Sequence, residues 1–275
     1  MYNRKLTHNN LYEESDNKAL VREINMAKNI QTKLLNGERP KLENDEVSGI
    51  SIPARLIGGD YFDFYPLSNG KIRIVIGDVM GKGIPAAMLM ILTRGAFRTA
   101  AESTKGPGET LTAMNNALYR DLRTLNSFVT VFCADWDSDS GTFSYASAGH
   151  SLPEIIKKDM TQFDIPSVKG IMIGGLPNQV YKEEKVTLSD GDLVFLYTDG
   201  IVEAVNTDGE MYKVDRLTKV LKSVVSKNIK VIEEAVIDDI KIFTEGLPQR
   251  DDITMVVLKI GKESSEISSF NAPLV

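Results

Sequence analysis

The chain has few of the residues that build many kinds of functional site. Its 275 residues include one cysteine and two histidines. The single cysteine, Cys133, excludes an internal disulfide and a zinc site built from cysteines. His8 and His150 are too few for a histidine-rich metal site. Any metal in this protein would therefore be held by carboxylates.

Basic charge and long apolar runs are also scarce. The formal net charge is -6 and the pI is about 5.2, which argues against general nucleic-acid binding because that needs a basic surface. No apolar run approaches the roughly 20 residues of a membrane span, and residues 1–20 lack the apolar core of a secretory signal. We therefore expect a cytoplasmic protein with no nucleic-acid partner and no membrane span.

An amphipathic helix is predicted near the N-terminus. Apolar residues recur in steps of three and four, the spacing of one helix face: Leu20, Ile24, Ala27, Ile30 and Leu34. We expect 1–17 to be flexible and 18–40 to form this helix and its exit. Two alternatives remain for the stripe, which either packs on its own domain or pairs with a second copy and transmits a signal.

The remainder reads as one α+β domain over 41–261, followed by a disordered tail at 262–275. The alternating runs Tyr61–Leu67 and Lys71–Ile76 flank a Ser-Asn-Gly turn and predict a hairpin. Further strands, two pairs of helices and a last strand from Ile253 predict antiparallel sheets flanked by helices. The helix from Pro85 to Ala101 is apolar nearly all round, so we expect it to be buried on several sides. Cys133 lies in a strand-like run and is predicted to be a buried, inert packing residue.

Four short stretches place an aspartate at the end of an apolar run: Gly58-Gly59-Asp60, Gly77-Asp78, Thr198-Asp199-Gly200 and Arg250-Asp251-Asp252. Aspartate beside glycine is common in ordinary turns, so each stretch alone has a purely structural interpretation. Four such carboxylates converging would form an oxygen-ligand site for Mg²⁺ or Mn²⁺. Two such ions roughly 3.5–4 Å apart can generate a hydroxide that attacks phosphorus.

Two other motifs fit named sites poorly. Asp137 and Asp139 lack the twelve-position ligand pattern of a calcium loop, so we interpret them as a hairpin tip. Gly81-Lys82-Gly83 lacks the spacing of a phosphate-binding P-loop.

Five stretches resemble, in order, the motif series of the bacterial PP2C-type (PPM) serine/threonine phosphatases. The stretches are Ile57–Phe64, Ile76–Ala87, Ala148-Gly149-His150, Tyr197–Ala204 and Asp251–Thr254. The branch is that of the sporulation stage II E phosphatase and the RsbU-like stress-response regulators. The resemblance covers about 22–260, and motifs this long in series are specific.

The resemblance implies a four-layer αββα sandwich of two mainly antiparallel sheets with two Mn²⁺ or Mg²⁺ ions, or three if this chain holds an extra metal. Asp78 would bridge both ions, with Asp60 and the Val79 carbonyl completing one ion's ligands. Asp199 and Asp251 would hold the other ion.

Four further residues receive roles from the same motifs. Asp63 and Asp252 would support the ligands or hold an extra metal. His150 would either be hydrogen-bonded near the site or transfer a proton. Lys82 would either meet the substrate phosphate or be a solvated lysine.

The implied activity is hydrolysis of phosphoserine or phosphothreonine, on a phosphorylated anti-sigma-factor antagonist of the STAS type. The alternative is a catalytically silent relative that binds a partner through the same surface. The intact carboxylate set favours the enzyme. The helix at 18–36 matches an element that often joins a sensor domain to the phosphatase domain, although we expect no sensor domain before it here. The resemblance also implies a homodimer through this helix.

Overall fold

The computed structural model describes residues 2–35, 40–68 and 70–261, with side chains from residue 17 onward. The predicted tail at 262–275 and the central residue of the predicted hairpin turn, Asn69, lie outside the described residues.

The described chain forms six helices and nine strands. The helices are α1 Tyr2–Leu35, α2 Ile84–Ser103, α3 Pro107–Thr124, α4 Asp199–Val202, α5 Lys213–Val224 and α6 Ile229–Thr244. The strands are β1 Glu46–Ile52, β2 Tyr61–Pro66, β3 Ile72–Val79, β4 Val129–Asp137, β5 Thr142–Ala148, β6 Glu154–Ile156, β7 Glu184–Thr187, β8 Leu193–Tyr197 and β9 Ile253–Lys259.

The strands form two antiparallel sheets. The four-stranded sheet has the order β1-β9-β8-β6, and the five-stranded sheet has the order β2-β3-β4-β5-β7. One apolar core lies between the sheets, a second between the five-stranded sheet and α2 and α3, and a third between the four-stranded sheet and α5 and α6. This order of layers confirms the predicted αββα sandwich.

Both faces of β3 are buried, because its side chains point alternately into two different apolar cores. Ile72, Ile74 and Ile76 belong to the core between the sheets, and Val75 and Val79 belong to the core under the helices. Arg73, a charged residue of this strand, is fully buried and pairs with Asp135 at 2.6 Å. The strand therefore holds its last residues, Asp78 and Val79, at a fixed edge of the sandwich.

Cys133 lies on β4 in the core under α2 and α3 and is fully buried. Burial raises the pKa of its thiol well above the ordinary value. The prediction of a buried packing residue is confirmed.

The prediction that the helix after Pro85 is buried on several sides is wrong. Met88 of α2 is 69% exposed, and Ile91 and Leu92 are also exposed. The inward residues, such as Met90 and Phe97, pack on the five-stranded sheet. The helix belongs to an outer layer, and within the described part of the chain no further layer covers its outward face.

The N-terminal helix also differs from its prediction. It begins at Tyr2 instead of near residue 18. Most of its apolar stripe faces outward, with Leu20 and Ile30 more than half exposed. Among its side chains from residue 17 onward, Gln31 and Leu35 in the last turns pack on the domain. None of the described helices combines the length and apolar character that a membrane crossing requires.

Candidate metal centre

The β2–β3 hairpin brings the first two predicted ligands together. Tyr61 pairs with Gly77 across the two strands, so Asp60, one residue before Tyr61, lies beside Asp78, one residue after Gly77. The Val79 carbonyl lies close by, since a Cβ added to Gly59 would be 3.1 Å from its oxygen. Asp60, Asp78 and the Val79 carbonyl therefore share one edge of the five-stranded sheet.

The other two aspartates come from neighbouring strands of the four-stranded sheet. Asp199 follows β8 and opens α4, and Asp251 precedes β9, which pairs with β8. The start of α4 lies so close to the start of β9 that position 200 must be glycine, because a Cβ there would lie 2.0 Å from the backbone oxygen of Asp252. Close packing between α4 and the start of β9 thus requires the glycine that follows Asp199.

The pKa values link the two pairs into one cluster. Burial, followed by the charges of Asp199 and Asp251, raises the pKa of Asp78 to about 7. Burial and the charge of Asp78 raise the pKa of Asp60 well above its ordinary value. The pKa of Asp199 is raised by burial and by the charges of Glu203 and Asp251. Carboxylates from both sheets therefore repel one another in one partly buried space.

Hydrogen bonds hold the ends of the two sheets around this space. Thr198 Oγ1 donates to Asp60 Oδ2 at 2.7 Å, and Thr198 Oγ1 also accepts from Thr254 N at 3.0 Å. Asp252 accepts from Gly59 N through Oδ2 and from Ala54 N through Oδ1, both at 2.7 Å. Asp252 thus builds the loop that carries Asp60, which agrees with the supporting role implied by the resemblance.

Lys82 reaches the cluster from the loop between β3 and α2. Its Nζ lies 2.5 Å from Asp251 Oδ2 and donates to the Arg250 carbonyl at 2.6 Å. The lysine side chain stays 37% exposed in this ion pair, so its two predicted roles, contact with the substrate phosphate or a solvated lysine, stay predictions. It places a positive charge against one edge of the aspartate cluster.

His150 ties the two sheets together next to the site. Its Nδ1 lies 2.9 Å from Thr130 Oγ1, and its Nε2 lies 3.1 Å from the Tyr197 carbonyl. Thr130 pairs with Asp78 across β3 and β4. Burial lowers the pKa of His150 to about 4, so its ring is neutral at pH 7. These contacts agree with the alternative of a hydrogen-bonded histidine beside the site.

Asp63 does not join the cluster, so its predicted role near the metals is wrong. It lies on the face of β2 that meets α2, where Arg98 donates to Oδ1 at 2.5 Å and to Oδ2 at 2.8 Å. Arg94 lies 3.4 Å from the same carboxylate, and Tyr61 donates to it at 3.2 Å. Asp63 therefore fastens α2 to the sheet.

Gln31 is a residue near the site that sequence reasoning missed. This buried side chain of α1 donates to the Gly58 carbonyl at 2.7 Å and accepts from Gly58 N at 3.1 Å. The sequence does contain a signal for it. Gln31 follows Ala27 by four positions and precedes Leu34 by three, so a polar residue occupies a position on the apolar stripe.

The four aspartates do not form a ready-made metal site. Over residues 2–35, 40–68 and 70–261, no group of three or more Asp, Glu, His or Cys side chains has the geometry to hold an ion. The donor chemistry nevertheless fits a hard divalent cation, because carboxylate oxygens are its preferred ligands and a positive charge would relieve the repulsion that raises the pKa values of Asp60, Asp78 and Asp199.

Known proteins match both the sequence and the fold. A profile of the Stage II sporulation protein E (SpoIIE) family matches residues 68–261. Phosphoserine phosphatase RsbU of Bacillus subtilis (strain 168) is 31% identical over 238 residues, which make up 86% of this chain and 70% of that protein. The chain belongs to the SpoIIE family of PP2C-type protein serine/threonine phosphatases.

Solved structures show the same fold at low identity. The SiaA-PP2C domain of Pseudomonas aeruginosa superposes with a TM-score of 0.75 at 20% identity, covering 90% of this chain and 99% of that one. RsbX, solved in complex with magnesium, superposes with a TM-score of 0.59 at 17% identity, covering 82% and 99%. Both support the αββα assignment for this SpoIIE-family chain.

Proposed function

We propose that the chain hydrolyses phosphoserine or phosphothreonine in a phosphorylated protein, with divalent metal ions held by Asp60, Asp78, the Val79 carbonyl, Asp199 and Asp251. The observation that carries this proposal is the electrostatic coupling of aspartates from both sheets at one edge of the sandwich. Family membership supports the reaction class, and the aspartate cluster supports the proposed location of the metal ions.

The metal would be Mn²⁺ or Mg²⁺, as two ions or, with an extra metal, three. Such ions lower the pKa of bound water and neutralise charge on the phosphoryl oxygens. The side chains of this chain do the rest. Asp78 stands between the two sheets, where its charge meets those of Asp60, Asp199 and Asp251.

Neighbouring residues keep the ligands in place for the reaction. Thr198 orients Asp60 by its hydrogen bond, and Asp252 fixes the Gly59 backbone beside the Val79 carbonyl. Neutral His150 holds β4 against the end of β8 without adding charge. The reaction needs no cysteine or histidine nucleophile.

The substrate we propose is a phosphorylated anti-sigma-factor antagonist of the STAS type, in a cytoplasmic bacterial signalling system. Support comes from the similarity to RsbU, a phosphoserine phosphatase, over most of this chain. The catalytically silent alternative is less favoured because the chain keeps an aspartate at each of the four implied ligand positions.

The test is turnover of p-nitrophenyl phosphate and of a phosphoserine protein with Mn²⁺ or Mg²⁺, against the same protein in EDTA. We expect hydrolysis only with metal, and a rise in melting temperature on adding the metal, because a ligand that binds only the native state stabilises it. Asp78→Asn should abolish turnover and the metal-dependent rise, whereas Asp208→Asn, on an exposed loop, should keep both. Full activity in EDTA would refute the metal mechanism.

We further propose that α1 forms a homodimer contact that regulates the enzyme. The exposed positions Leu20 and Ile30 need cover, because a helix with such a stripe is stabilised mainly by packing. Replacing Ile24 and Ile30 together by Asp should shift the mass measured by light scattering from dimer to monomer and change the turnover rate. A parent of monomer mass, or a variant with unchanged mass and rate, would remove this part of the proposal.

A further inference from the structure

A cavity of about 430 Å³ opens beside the aspartate cluster, between α4, the C-terminal end of α6 and the start of β9. Its deeper wall is apolar and comes from Ile237 and Ile240 of α6 and Ile253 of β9. Clefts of this size and character bind small apolar groups.

The cavity is continuous with the candidate metal centre. Lys82, Gly200 and Asp251 line both. Gln249 fixes the wall at this point, because its Nε2 donates to the Ile52 carbonyl at 2.8 Å and to the Asp251 carbonyl at 2.7 Å. The loop that closes the cavity is therefore tied to the segment that carries a proposed metal ligand.

The edges of the cavity are exposed apolar side chains. Met211 is 50% exposed and Leu247 is 36% exposed, and both face the opening. Lys82 and Arg250 lie at the end nearest the aspartates. One end of this surface thus suits a phosphate and the other an apolar side chain.

We infer that the cavity receives an apolar side chain of the phosphoprotein substrate, adjacent to the phosphorylated residue. This inference rests on the proposed function. An extended peptide advances about 3.3–3.6 Å per residue, and its side chains alternate in direction. With phosphoserine at the aspartates, a residue one or two positions away reaches the wall that the two sites share.

The experiment compares two phosphoserine peptides that differ only in having leucine or serine at the two positions on each side. The wild-type enzyme should hydrolyse the leucine peptide with a kcat/KM about tenfold higher, since that is the usual discrimination of an apolar pocket. Met211→Asp and Leu247→Asp should reduce this preference to nearly one. Both sites are on the surface, where substitutions change stability little, and melting curves will verify the fold.

Ile242→Asp is the matched control. Ile242 lies on α6, is 71% exposed and does not line the cavity, so this variant should keep the wild-type preference. p-Nitrophenyl phosphate, which has no flanking residue, reports the chemistry alone. If it is hydrolysed and the two peptides are hydrolysed equally well, the cavity inference is overturned and the proposed function stands. If it is hydrolysed and neither peptide is, the cavity inference is overturned and turnover of the phosphoserine protein decides the proposed function. If it is not hydrolysed with either metal, the proposed function fails first.

Discussion

The contact between Gln31 and Gly58 predicts that the N-terminal helix sets the position of Asp60, a proposed metal ligand. Gln31 makes two hydrogen bonds, 2.7 and 3.1 Å long, to the backbone of a residue two positions before Asp60. Gln31→Met keeps the length of the side chain and removes both bonds. The buried N–H and carbonyl of Gly58 then lose their partners, at about 1–3 kcal/mol each.

The missing hydrogen bonds can lower either the free energy of unfolding or the metal affinity. If the loop keeps its position, the free energy of unfolding should fall by about 2–4 kcal/mol, since part of the loss is regained by the apolar side chain. If the loop moves to reach water, Asp60 moves with it, and the metal affinity should fall about tenfold for each 1.4 kcal/mol. Urea unfolding and a metal titration followed by melting temperature separate the two.

Asn29→Met is the matched control, because Asn29 is an exposed neutral residue on the same helix. It should change neither the free energy of unfolding nor the metal midpoint. Gln31→Glu gives a further check, because it keeps an acceptor for Gly58 N but adds a negative charge beside a cluster that already repels itself. The reasoning is refuted if Gln31→Met matches the Asn29 control in both measurements.

Two further predictions concern residues that hold the site. Gly200→Ala should lower both the melting temperature and the turnover rate, because its Cβ would lie 2.0 Å from the Asp252 carbonyl oxygen. Gly95→Ala is the control: its Cβ would have open space around it inside α2, so it should stabilise the protein by about 1 kcal/mol. Equal effects of the two substitutions would contradict the packing argument. His150 has a pKa of about 4 when folded against 6.5 in its ordinary state, so the stability it contributes is present above pH 6.5 and lost as pH falls toward 4, by up to about 3 kcal/mol. His150→Gln should flatten the wild-type decline in urea midpoint between pH 7 and pH 4, and an unchanged decline would show that other groups cause it.

Local pattern was sufficient for most of the elements and for the position of the aspartates. Alternation between apolar and polar residues located the β2–β3 hairpin, and the register follows from a side-chain period of two. Aspartates at the ends of apolar runs indicated a carboxylate site because strand ends meet at a common edge. The motif order was sufficient for the family.

Alternation did not decide which face of a strand would meet the proposed metal site. Asp60 and Asp63 are three positions apart in one stretch, and both were candidates. Tyr61, Asp63 and Tyr65 point toward α2, whereas Phe62 and Phe64 point toward the second sheet. Only the stacking of the second sheet on the first distinguishes the site face from the helix face.

The sequence by itself determined the strands, the long helices and the carboxylates at their ends, because these depend on residues close together along the chain. Tertiary structure alone decided that Gln31 contacts Gly58, 27 residues away, and that Asp252 holds Gly59, 193 residues away. It also decided that α2 keeps an exposed apolar face. When a helix is apolar on all sides, its sequence does not indicate which side will stay uncovered.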